Sequence, residues 1–320
     1  MRRRTGEIAR STSVPIMPPT ALRLGTRRSA LALAQSRIVA AALEAGHPGL
    51  AIELVPVATE GDRLRGSLAD RGGKGLFTRE LEEGLLASTL DLAVHSLKDL
   101  PTALPAGLRV AAFPERADPR DVLVSDVAAS VGSLPEGALI LTGSLRRRAQ
   151  LLRLRPDLRV EAVRGNVDTR LRKWRERRAA GLVLAAAGLA RLGFDDLPAR
   201  PLEPAVMLPA PGQGTLAVEI AEASPAGALC AGLDHPASRR AAEAERGVVA
   251  AFGGDCTLPL AAWARADGVG RLRLTALLLT PDGDRWVAGE AEGTDPAAVA
   301  ADCVRRMQDQ GAAEVLAAVR

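Results

Sequence analysis

The chain has no tyrosine, four phenylalanines and three tryptophans among its 320 residues. Its cores must therefore be aliphatic, and the aromatic platforms on which single-stranded nucleic acid stacks are argued against. Only three cysteines occur, Cys230, Cys256 and Cys303, far apart in the chain. Their odd number, and the lack of any CxxC or Cys/His pattern, speak against a disulfide framework and against zinc or another metal. They suit a reducing, cytoplasmic setting. No apolar run reaches membrane-spanning length, so no membrane is expected as a partner. Met1-Arg2-Arg3-Arg4 opens like a secretion signal, but no apolar stretch follows it. Residues 1–20, with Pro15, Pro18 and Pro19, read as a disordered leader.

What is present is a globular composition, 47% hydrophobic, on a chain long enough for two or three domains. The net charge is only +4, yet it is uneven. Residues 140–195 hold thirteen arginines and one lysine against five carboxylates, which suggests an anionic partner. Some of those arginines, such as Arg172, Arg175 and Arg178, fit the solvated face of a helix.

Short apolar runs alternate with amphipathic ones, the pattern of βα units. Strands are predicted at 22–24, 51–57, 92–95, 121–125, 138–142, 159–163 and 182–185. Helices are predicted at 29–45, 76–87, 144–154 and 167–179. Residues 61–75 read as a glycine-rich, charged loop. After Pro236 the texture changes: strands at 258–264, 271–279 and 285–288 precede a helix near 296–308, which describes a small α+β unit.

Three places share one design, a strand, then small polar residues, then a helix bearing arginine: Gly25-Thr26-Arg27-Arg28-Ser29, Thr142-Gly143-Ser144-Leu145-Arg146-Arg147-Arg148, and Arg164-Gly165-Asn166-Val167-Asp168-Thr169-Arg170. A helix start offers free N–H donors and the positive end of a dipole, and a guanidinium adds fork-like carboxylate binding. Repetition points to a ligand with several carboxylates or phosphates. No Walker A or GxGxxG pattern occurs. The run Val94-His95-Ser96-Leu97-Lys98-Asp99-Leu100-Pro101 puts an ammonium and a carboxylate at the end of an apolar strand, where open α/β sheets bind ligands. Such a carboxylate can stabilise a cation or move a proton. Gly72-Gly73-Lys74-Gly75-Leu76-Phe77 enters a helix through a glycine loop, and Cys256 follows Gly253-Gly254-Asp255. A thiol in such a loop is accessible, whereas Cys230 and Cys303 lie in helix-like runs.

These segments, together with Leu208-Pro209-Ala210-Pro211-Gly212-Gln213-Gly214, resemble the hydroxymethylbilane synthase (porphobilinogen deaminase) family in order and spacing over residues 21–320. The resemblance implies two α/β domains similar to periplasmic binding proteins, with an active-site cleft between them, and a small α+β C-terminal domain. The boundaries expected are 21–114 with 216–235, then 115–215, then 236–320. It implies a transferase that joins four porphobilinogen molecules head to tail on a covalent dipyrromethane cofactor, releasing ammonia and then the linear tetrapyrrole of porphyrin and heme biosynthesis. Asp99 matches the catalytic carboxylate and Cys256 the thioether attachment site. Lys74, Lys98, Ser96, Thr142, Ser144, Arg146, Arg147, Arg164 and Gly165 match cofactor contacts. Arg27, Ser29, Arg170, Arg191 and Gln213 match substrate contacts. A monomer is favoured. Two departures stand out: Asp255 before the cysteine, where glycine is usual, and Gly143 in place of a serine. A ligand-binding module without catalysis would share the two-lobed pattern but has no need of Asp99 or the Cys256 loop. A nucleic-acid-binding protein would suit the basic block but lacks a supporting motif.

Overall fold

Three sheets organise the described residues. The computed structural model describes residues 20–59, 78–253, 258–267 and 270–319; the expected leader up to residue 19, the whole 61–75 loop with Lys74, and Cys256 lie outside them. The first sheet runs β2-β1-β3-β10-β4, from β1 (Ala21–Arg27), β2 (Ala51–Val57), β3 (Leu92–Ser96), β4 (Leu108–Ala112) and β10 (Leu216–Ala221). β1 is parallel to β2 and β3, while β10 inserts antiparallel between β3 and β4. The second sheet repeats the design. β6 (Leu139–Leu141) is parallel to β7 (Arg159–Glu161) and β8 (Gly181–Ala185), and β5 (Asp121–Val124) pairs antiparallel with β8 and β9 (Ala199–Leu202). Helices α1 (Ala30–Gly46), α2 (Arg79–Leu86) and α6 (Ala226–Cys230) accompany the first sheet. Helices α3 (Leu145–Leu154), α4 (Val167–Glu176) and α5 (Ala186–Arg191) accompany the second.

The third sheet is an antiparallel meander of β11 (Leu260–Ala266), β12 (Leu272–Leu279) and β13 (Trp286–Gly293). Helices α7 (Pro236–Ala251), α8 (Pro296–Gln308) and α9 (Ala312–Ala317) pack on it. α7 and α8 each start with proline at the first turn and a side-chain cap, His235 and Asp295. The cores are aliphatic, dominated by leucine, valine and alanine, and each fully buried leucine contributes about 2 kcal/mol. Among the described residues no helix is long and apolar enough to cross a membrane.

The structure departs from the expected elements where polar residues sit inside strands. β13 continues past Ala288 to Gly293, because Glu290 and Glu292 face solvent opposite Thr275 and Arg273. A Cβ at Gly289 would stand 2.4 Å from the Cys303 carbonyl, so only glycine lets α8 pack there. β10 holds the buried Glu219 and β9 holds Pro201, which disguises both as loops. α4 stops at Glu176 rather than near 179. The long helix α7 was also unmarked by the sequence pattern. Cys230 and Cys303 are free and buried, and burial pushes their thiols up to about 11 and about 12.

The chain crosses from the first sheet to the second at 113–120 and returns at 203–215. The two crossovers touch: the Ala117 amide donates to the Gly214 carbonyl at 3.2 Å. A Cβ at Gly214, whose φ is +87°, would stand 2.4 Å from the Ala117 carbonyl oxygen. Arg116 locks this junction to α7, donating to Glu245 at 2.6 and 3.2 Å and to the Gln213 carbonyl at 2.8 Å. Glu245 is fully buried and also accepts from the Gly212 and Ala264 amides. A buried carboxylate is tolerated when its oxygens are bonded in this way.

Candidate active site

Three helices begin where the sequence places small polar residues after a strand. Ser29 caps α1, Ser144 caps α3 and Asn166 caps α4, each side-chain oxygen accepting a backbone N–H of the first turn. Thr142 Oγ1 accepts from the Ser144 amide. The caps fix the helix starts and so aim the arginines that follow. At Gly165, φ is +116° and a Cβ would stand 2.6 Å from Thr169; its carbonyl accepts from Arg170 Nε at 2.7 Å. The Arg164 carbonyl accepts from Lys173. Gly143 also has a reason here, since a Cβ would stand 2.6 Å from the Val163 carbonyl oxygen.

Asp121, the first residue of β5, is 0% exposed and gathers the centre of the site. Arg146 Nη2 and Arg147 Nη2 each lie 2.8 Å from its oxygens, and Gln213 Nε2 donates to it at 2.9 Å. Arg146 also donates to the Leu208 carbonyl and Arg147 to the Val183 carbonyl. Burial pushes the Asp121 carboxyl up, but Arg146 and Arg147 outweigh it and hold the group below its ordinary range. Burial pulls the Arg146 guanidinium down. Arg146 Nε is buried and meets no acceptor among the described residues. One carboxylate thus faces two buried guanidiniums, which leaves positive charge in surplus.

The catalytic-site candidates of the first lobe meet that surplus. β3 ends at Ser96, and a single 3₁₀ turn, Leu97–Asp99, carries Lys98 and Asp99 outward. Lys98 Nζ lies 3.4 Å from Gln213 Oε1. Burial pushes its ammonium down to about 8; Asp99 and Asp121 oppose this, and Arg147 and Arg146 add to it. Arg170, on α4, is pushed down to about 10 by burial and by Arg147 and Arg164, with Asp99 opposing. Asp99 is exposed, so an exposed carboxylate of one lobe and the arginines of the other share one field across the cleft.

The remaining candidates are placed differently. Arg27 ends β1, two residues before Ser29. Ser96 Oγ accepts from Gln35 Nε2 at 2.8 Å, tying β3 to α1. Arg191 donates to the Gly214 carbonyl at 2.7 Å, at the crossover. Sequence reasoning missed Asp121, Gln35, Arg116 and Glu245. Asp121 carried a faint signal, an acid opening the apolar run Val122-Leu123-Val124; the others carried none.

Comparison with known proteins agrees with this arrangement. Residues 22–226 match a family model described as porphobilinogen deaminase, dipyromethane cofactor binding domain, and residues 240–310 match porphobilinogen deaminase, C-terminal domain. The chain is 43% identical over 300 residues to the porphobilinogen deaminase of Thermus thermophilus, covering 93% of this chain and 98% of that one. It is 46% identical over 301 residues to that of Rubrobacter xylanophilus, covering 93% and 97%. Among solved structures, the periplasmic aliphatic sulphonate binding protein SsuA from Escherichia coli is 15% identical with a TM-score of 0.39, covering 75% of this chain and 72% of that one. The sequence relatives extend over both lobes and the third sheet alike, and on that ground the chain belongs to the porphobilinogen deaminase family.

Proposed function

We propose that the chain condenses four porphobilinogen molecules on a dipyrromethane held by Cys256 and releases the linear tetrapyrrole hydroxymethylbilane. The observation that carries this reading is the exposed Asp99 carboxylate at the end of β3, facing a surplus of guanidinium and ammonium groups. Porphobilinogen bears acetate and propionate groups, so each addition brings two more carboxylates into the cleft. The donor set fits such a polyanion: among the described residues Arg146 keeps a buried Nε without an acceptor, and Asp121 is the one carboxylate paired with Arg146 and Arg147. Bound dipyrromethane supplies the primer for chain growth. Arg146, Arg147, Arg164, Arg170 and Lys98 bind and orient the carboxylates, with Arg27, Ser29, Ser96, Thr142, Ser144 and Gly165 lining the helix starts.

When ammonia leaves porphobilinogen, the C–N bonding pair leaves with nitrogen and the pyrrole ring becomes cationic. Asp99 stabilises that charge beside the ring N–H and holds the proton released when the new C–C bond forms. Three separate sheets support a division into 21–114 with 216–235, 115–215 and 236–320. We also read the protein as a cytoplasmic monomer that takes no nucleic acid. Free Cys230 and Cys303 support the first point. The pairing of Arg155 with Asp157, Arg172 with Glu176 and Arg177 with Glu161 supports the last, because it takes up three arginines of the basic block.

The test is Asp99→Asn together with Cys256→Ser. Asp99→Asn should cut tetrapyrrole formation about 10²–10³-fold while keeping the added mass of two pyrrole units. Cys256→Ser should remain folded and lose that mass. Turnover within threefold of wild type in Asp99→Asn, or the added mass on Cys230 or Cys303, would overturn the reading.

A further inference from the structure

Helix α7 ends at Ala251, five positions before Cys256 in the sequence, and two neighbouring residues on it face different partners. Glu245 grips the crossovers through Arg116 and the Gly212 amide. Arg246 reaches the first lobe. Its Nη1 donates to the Leu100 carbonyl at 3.3 Å, and its Nη2 donates to the Pro101 and Thr102 carbonyls, each at 2.9 Å. These are the three residues that follow Asp99.

The turn that carries Asp99 has few bonds of its own. The Leu97 amide donates to the Thr215 carbonyl and the Leu100 amide to the Leu97 carbonyl, and Pro101 has no N–H to give. The start of the turn is held from beneath: His95 Nε2 lies 2.9 Å from Glu219 Oε2, with both side chains buried. The two atoms are close but not aligned as a hydrogen bond, and neither finds a hydrogen-bond partner among the described residues. Glu219 also acts on Arg246: burial pulls that guanidinium down and Glu219 opposes the pull. Glu82 of α2 shares the same buried patch and is pushed up by burial and by Glu219. The buried carboxylate of Glu219 thus lies against His95, just before the turn, and its charge favours the Arg246 guanidinium after it.

We propose that Arg246 is a positioning residue for Asp99, clamping the backbone of residues 100–102 to α7 so that the carboxylate and the helix leading to Cys256 stay in fixed relation. The inference rests on the reading of Asp99 given above. A guanidinium suits the task, because its planar fork presents several donors at set angles to several carbonyls, whereas an ammonium is a single point of donation. A displacement of about 1 Å at a reacting group costs on the order of a hundredfold in rate, so the clamp acts on turnover more than on substrate affinity.

The test uses the full chain with Arg246→Met, Arg246→Lys and Asp99→Asn. Turnover is expressed per molecule carrying the dipyrromethane mass. Arg246→Met should lower kcat about ten- to a hundredfold and leave KM for porphobilinogen within threefold. Arg246→Lys should fall between it and wild type. Amide exchange of the peptide spanning residues 97–104 should quicken in Arg246→Met even in protein without the cofactor, while exchange in α7 stays unchanged. Where Arg246→Met does not fold, the same readings on Arg246→Lys decide the matter. A kcat within twofold of wild type, a folded variant carrying no dipyrromethane, or unchanged exchange at 97–104 would overturn the proposal. Failure of the Asp99 reading is separate: it shows as near-normal turnover in Asp99→Asn, whatever Arg246 does.

Discussion

Replacing Asp121 by asparagine tests the centre of the site. The substitution keeps the shape and removes the charge that two buried guanidiniums share. Asp121 is 0% exposed, while Arg146 and Arg147 are 4% and 5% exposed, so water cannot take over the lost interaction. Removing one partner of a buried ion cluster costs about 3–5 kcal/mol. Each arginine retains a carbonyl acceptor, Leu208 for Arg146 and Val183 for Arg147, which places the expected loss at the lower end, about 3 kcal/mol. That corresponds to a melting temperature lower by about 6–10 °C. Equilibrium urea unfolding of protein with matched dipyrromethane content measures it. The pH dependence gives a second check. The folded-state pKa of Asp121 is held below its ordinary value, which in unfolded chains is about 3.9. Its stabilisation is therefore fully present above that value and is lost as pH falls through the folded pKa. The gap between wild type and Asp121→Asn should be flat near neutrality and should close only in acid, below about pH 4. A loss under about 1 kcal/mol would refute the argument that burial makes this carboxylate indispensable. So would a gap that closes between about pH 6 and 8, a range in which no aspartate depressed in this way titrates.

Lys98 is pushed down to about 8, so its charge is lost as pH rises through that value. KM for porphobilinogen should then increase above about pH 8 in wild type and be raised but pH-insensitive in Lys98→Met; the same break in both profiles would remove Lys98 from substrate binding. Gly283→Ala should lower stability by about 1–3 kcal/mol. At a φ of +81° its Cβ would stand 2.4 Å from the Ala149 carbonyl oxygen and 2.8 Å from the Arg153 amide. Thermal unfolding measures this, and the emission of Trp286, on which Arg153 stacks at 4.0 Å, reports any separation of the third sheet from α3; an unchanged melting temperature would show that the turn simply adapts.

Local features were legible because they depend on neighbours in sequence. The strands at 51–57 and 92–95, the latter observed one residue longer, the helix at 296–308 and the capped helix starts at Ser29, Ser144 and Asn166 follow from periodicity and from side chains that bond an amide three residues on. The ordered motifs were enough to identify the family, and they marked Asp99 and Lys98 at the end of an apolar strand. The partners of those residues were not legible. Gln213 and Asp121 are 92 positions apart, Arg116 and Glu245 129, and Arg246 and Pro101 145. No periodicity joins such pairs; they meet only because the chain crosses between sheets twice and β10 inserts between β3 and β4. Buried charges such as Glu219, Glu245 and Asp121 read as surface residues in a sequence, since an isolated carboxylate belongs in water. They become interior residues only when folding brings each one a close basic side chain or amide donors to offset its lost hydration. Sequence alone settled the family and the elements with a clear apolar period or a side-chain cap, but not β9, β10 or α7. Tertiary structure decided which charges are buried together, and with that how the turn carrying Asp99 is held.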